Sequence, residues 1–264
     1  MSPLRALAVS SLAFVLAVCS PTRAAESISA YPRFVPYTLG RPTTIVYSFE
    51  ISGGGGRLPA PLTSVDLHLP TGMGLGTSAL GTSTCEASTL ERYGLEGCPA
   101  EARLGGGSVV AEIPLAEEVV EETGQVAAVL GPPEGQHLVV FIYIDGQTPV
   151  STQLVFPGVV LGDSHPYGIQ LQTPVPLVPV APWLQGVYVI VKHLQLTIGP
   201  LNLIYYRRAG GTLVAYHPRG ILVPTRCPRG GFPFALGLGF ADGTGATATS
   251  SVPCPTRKPT RHQR

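Results

Sequence analysis

Ser64-Val65-Asp66-Leu67-His68-Leu69 is the stretch whose reading decides the fold. Val65, Leu67 and Leu69 fall on one side of an extended chain, Asp66 and His68 on the other. That period of two predicts a half-buried strand. Its neighbours carry the same signal. Thr43–Ile51 is β-branched and aromatic, bounded by Pro42 and the Gly53–Gly56 run. Ser108–Ile113 follows Gly105–Gly107, and further runs are expected at Val126–Leu130, His137–Ile144, Gln153–Phe156, Tyr167–Gln172 and Val187–Ile198. The last are Thr212–Tyr216, Ile221–Val223, Phe232–Phe240 and Ala246–Val252. Asp242-Gly243 between the final two is a hairpin signal.

Proline recurs too often for long helices. Glu86–Tyr93 is expected as a turn or two of helix, and Glu117–Glu122 as another short helix or an acidic loop. The fold class is therefore all-β: an immunoglobulin-like antiparallel sandwich, enlarged or split into two closely joined lobes, with little helix. The expected lobes are 25–130 and 131–254, with Gly131-Pro132-Pro133-Glu134-Gly135 between them.

The chain has 264 residues, 44% hydrophobic and 12% charged, ample for a packed core. A formal charge of +1 argues against a strongly basic nucleic-acid binder, so no nucleic-acid partner is expected. Residues 1–24 read as a secretory signal. Arg5 precedes the apolar Ala6–Val18 stretch, and Thr22-Arg23-Ala24 offers small residues for cleavage. Cleavage there leaves 15 basic against 16 acidic side chains. The alternative is a lipid anchor on Cys19, although Val18 departs from the small residue such a box prefers. No segment of the mature chain is long and apolar enough to be read as a transmembrane helix.

Export makes disulfides the expected state of the remaining cysteines, Cys85, Cys98, Cys227 and Cys254. Three pairings are possible. Cys85–Cys98 with Cys227–Cys254 closes the shortest loops and is favoured. A two-residue hairpin at Gly243-Thr244 would set residue 233 opposite Cys254, leaving Cys227 six residues outside the register. Pro228-Arg229-Gly230-Gly231 would then fold back to close the gap. Residues 255–264 carry Arg257, Lys258, Arg261 and Arg264 and are expected to be a disordered basic tail.

Two blocks of punctuation form a set. One is Cys98-Pro99 with Arg103-Leu104-Gly105-Gly106-Gly107-Ser108. The other runs from Cys227-Pro228-Arg229-Gly230-Gly231 through Asp242-Gly243 to Val252-Pro253-Cys254-Pro255. Together they resemble uncharacterised secreted β-rich proteins of GC-rich Gram-positive bacteria. The resemblance covers most of residues 60–255. It implies architecture and export, and brings no catalytic residue with it.

The search for chemistry leaves catalytic, cofactor and metal sites unassigned. Gly162-Asp163-Ser164-His165 echoes an esterase motif, but that motif belongs to a strand-to-helix turn of an α/β fold. A polar turn is the simpler reading. His68, His137, His193, His217 and His262 show no metal-ligand spacing. Glu117, Glu118, Glu121 and Glu122 form an acidic cluster without the pattern of a calcium loop, read as a solvated face. The glycine runs read as flexible or bulged loops. Pro174–Trp183 reads as an extended crossing whose side chains cover the core. The expectation is an exported, non-enzymatic structural or binding protein at or outside the cell envelope, with an envelope or extracellular polymer or protein as partner and no cofactor. The alternative is an extracellular hydrolase or carbohydrate-active module whose site is assembled across strands.

Overall fold

The alternation at Val65–Leu69 recurs from strand to strand, and each apolar row turns to the same side. In a computed structural model, the described residues are 25–74, 79–115, 118–148, 152–181 and 183–255. Residues 1–24 with Cys19, Glu117, Pro182 and the tail from residue 256 lie outside them. The strands are β1 (Ser27–Val35), β2 (Pro42–Ser52), β3 (Leu62–Pro70), β4 (Arg103–Pro114), β5 (Val119–Leu130), β6 (Leu138–Thr148) and β7 (Thr152–Gly162). Then follow β8 (Tyr167–Pro174), β9 (Ile190–Ile198), β10 (Tyr205–Ala209), β11 (Thr212–Tyr216), β12 (Ile221–Leu222), β13 (Phe232–Phe240) and β14 (Gly245–Val252).

All but β10 and β11 belong to one antiparallel sheet, in the order β1-β2-β9-β4-β5-β6-β7-β8-β3-β13-β14, with β12 on β2. The end strands β1 and β14 lie alongside each other, so the sheet is nearly closed. The architecture is all-β, antiparallel and poor in helix, as expected, and sandwich-like in that halves of one rolled sheet face each other. Residues 131–137 form the turn joining β5 to β6, with Gly131 N–H donating to Val139 O.

Two strands escaped the sequence reading. β1 carries Pro32 in its middle, which an edge strand tolerates because one side of its backbone needs no ladder partner. β10 pairs with the expected strand at Thr212–Tyr216 through a turn at Gly210-Gly211, both with positive φ (57° and 83°). Residues 119–122 form the start of β5, neither helix nor loop, because they pair with Ala111–Pro114. Gly105–Gly107 lie inside β4, not in a loop. A Cβ at Gly105 or Gly107 would stand 1.6 or 1.8 Å from a carbonyl oxygen of β9, so the close approach of these two strands excludes side chains there.

Between Cys85 and Cys98 the chain leaves the sheet and forms the helix α1 (Ala87–Tyr93), ended by Gly94 at φ +61°. Leu90 is fully buried beneath it, against Ala127, Val129 and Tyr143 on the outer face of β5 and β6. Hence Ala127–Val129 is covered on both faces. Disulfides join Cys85 to Cys98 and Cys227 to Cys254, with Cα separations of 5.4 and 5.8 Å. The terminal hairpin differs from the expected register. Phe232 pairs with Val252, so residue 230 stands opposite Cys254, and Cys227 lies three residues beyond. The reason is a turn that sits earlier, over residues 241–243: Gly243 N–H donates to Phe240 O and Phe240 N–H to Thr244 O, with Gly243 at φ +80°. That is a three-residue loop with a left-handed glycine.

Candidate functional site

The inward rows do not meet in the middle. They enclose a chamber of about 430 Å³, walled by Val65, Leu67 and Leu69 of β3, Leu171 of β8, Val126 of β5 and Leu196 of β9, among others. Phe34, Phe232 and Phe234 instead close a solid core at the seam side of the sheet. Leu67 and Leu171 face each other across the β3–β8 pair, yet both are only half-buried, because they border empty space. The described chamber lining carries no charged side chain; its polar members are Tyr47, Thr82 and Thr173. The Tyr47 hydroxyl is buried without a hydrogen-bond partner among the described residues, and burial pushes its pKa up.

A smaller pocket of about 90 Å³ continues the chamber at one end, sharing Leu62, Val109, Ile144, Phe156, Val175 and Val191 with it. There one acid turns inward. On β5, Glu122, Gly124, Val126, Ala128 and Leu130 alternate in a single row, so Glu122 extends the apolar row by one carboxyl. Its side chain is 9% exposed, and burial raises its pKa. The four-glutamate cluster read from the sequence is thus divided. Glu118 and Glu121 are exposed, Glu122 is buried, and Glu117 lies outside the described residues. No group of three or more metal-ligating side chains occurs among the described residues.

The Pro-rich segment links β8 to β9, two strands that are far apart in the sheet. Val175, Pro176, Leu177 and Val178 line the end pocket, the crossing role expected of them. The chain then doubles back: Val180 N–H donates to Val187 O, and Val189 N–H to Val178 O. Trp183 lies between, 80% exposed.

On the outside, the structure brings together two residues that the sequence kept apart. His68 Nδ1 lies 2.6 Å from Asp163 Oδ2, with the imidazole against the Tyr167 ring at 5.3 Å. β3 and β7 both flank β8, so the pair bridges across one strand. The hydrogen bond to His68 and the Ser164 N–H on Oδ1 hold the Asp163 carboxyl below the usual carboxylate range. A hydrolytic triad needs a nucleophile on the free imidazole nitrogen. Ser164 meets the acid through its backbone N–H, which donates to Oδ1. Among the other histidines, His217 Nδ1 meets Leu203 O at 2.8 Å, His137 and His165 are exposed on turns, and His262 is outside the described residues.

Comparison with family models, with curated proteins and with solved structures returned no match. The alternation at Val65–Leu69 marks a half-buried strand but does not tell a filled core from a chamber. Sequence reasoning counted Glu122 with an acidic cluster. The signal that would have singled it out is the inward row on β5, read back from Leu130 in steps of two.

Proposed function

We propose that this is an exported binding protein that holds an apolar molecule in the chamber of its rolled sheet. One observation carries the reading: a cavity of about 430 Å³ walled by aliphatic side chains, within the range of small-molecule sites, about 300–1,000 Å³. Apolar cavities far smaller, about 150 Å³, stay dry and take up apolar guests. A molecule that leaves water for this space gains about 0.8 kcal/mol per buried methylene. Two disulfides support an oxidising compartment and so an extracellular setting. Among the described residues, no helix is long and apolar enough to cross a membrane.

The test is titration of purified, oxidised protein with the neutral dye N-phenyl-1-naphthylamine, whose emission rises in apolar surroundings. Saturable enhancement, reversed by a long-chain competitor, is expected. An unchanged dye signal, together with native mass spectra that show no bound lipid, would refute the reading. The extracellular-hydrolase alternative draws on the His68–Asp163 pair. It requires ester hydrolysis that disappears in His68→Ala.

A further inference from the structure

We infer that Glu122 is the anchor for the head of the bound molecule, and that the ligand is an apolar chain ending in a non-anionic hydrogen-bond donor, a protonated amine or a hydroxyl. The inference rests on the reading of the chamber as a ligand site and names the ligand's class. Glu122 is nine-tenths buried, projects from the inward row of β5, and has no hydrogen bond or ion pair among the described residues. Its carboxylate oxygens are not among the fully buried unpaired atoms, so they keep access to the end pocket, where poor solvation makes a hydrogen-bond donor a favourable guest. Every other described residue lining the end pocket is uncharged. β4 contributes Val109 and Ala111, β6 Ile144 and Gly146, and β7 the hydroxyl-bearing Thr152. The crossing segment adds only Val175, Pro176, Leu177, Val178 and Val189. Lys192, the nearest cation by strand position, pairs with Glu112 on the opposite face of β4 at 3.4 Å.

Among the described lining residues the geometry therefore offers one carboxylate, beside the Thr152 hydroxyl, at the end of an apolar chamber, and no cation to receive an anionic head. An ammonium or hydroxyl head at Glu122 satisfies the carboxylate and leaves the chain to fill the space between Val126, Leu67 and Leu171. A fatty-acid carboxylate would set two like charges together in a poorly solvated pocket.

Three twelve-carbon probes decide the matter: dodecylamine, dodecanol and dodecanoate, each competing with N-phenyl-1-naphthylamine on the oxidised full-length protein near neutral pH. Dodecylamine and dodecanol should each bind about tenfold tighter than dodecanoate. In Glu122→Gln that preference should shrink several-fold. Dodecanoate binding as tightly as the amine to the unsubstituted protein would overturn the inference without any variant. So would a preference that survives in Glu122→Gln. In both cases dye binding leaves the chamber reading intact. Failure of the dye and of all three probes would overturn the chamber reading, and the inference with it.

Discussion

Leu67→Trp separates a ligand chamber from an ordinary core. Leu67 points inward from β3, opposite Leu171, and is half-buried because its side chain borders the cavity. Cavities left by truncation cost about 24 cal/mol per Å³. Tryptophan adds about 60 Å³ over leucine, so it should recover up to about 1.4 kcal/mol. For a chain of this size that is a rise of about 3–6 °C in Tm. In a filled core the same substitution would cost about 1–3 kcal/mol through overpacking. Scanning calorimetry of the ligand-free protein reads the sign, and dye titration of the same sample reads the volume left for a guest. A higher Tm with weaker dye binding is the expected pair of results. A Tm lowered by several degrees with dye binding unchanged would refute the argument that Leu67 borders empty space.

Three other perturbations have calculable outcomes. Replacing Cys227 and Cys254 together by serine reopens a loop with a sequence separation of 27 residues. The entropic cost is about 3.5 kcal/mol, which denaturant titration should show as an earlier midpoint. Cys85→Ser with Cys98→Ser, across a separation of 13, should cost about 3 kcal/mol. Asp163→Asn should lower stability by about 1 kcal/mol near neutral pH, since the charge-assisted bond to His68 is partly solvated. The Asp163 pKa is depressed in the fold, so its contribution is present above the ordinary carboxylate range and is lost as pH falls through the folded value. The variant and the parent should therefore converge in acid, and an unchanged gap there would count against the pair. Glu122 has the opposite sign. Its pKa is raised by burial, so the fold favours the protonated form and loses stability as pH rises through the folded value. Glu122→Gln should melt higher than the parent near neutral pH and alike below about pH 4, and a lower neutral Tm would contradict it.

What the sequence determined by itself was local. The side-chain alternation at Val65–Leu69, the β-branched run at 43–51 and the Asp242-Gly243 turn need only a chain and its neighbours, because strand period and turn chemistry act over a few residues. The spacing of the cysteines likewise favoured the pairs Cys85–Cys98 and Cys227–Cys254 that the structure holds. Binary pattern says which face is apolar, but not whether the opposing faces touch. That depends on how many strands share one sheet and where its ends meet. Only the tertiary structure decided that β1 and β14 come together, and that the row from β3 looks across a chamber instead of into a filled core. Only it turned Glu122 inward away from Glu121, and brought His68 to Asp163, 95 positions away along the chain. Long-range pairing sets such meetings, and sheet register is a property of partners that no short stretch contains.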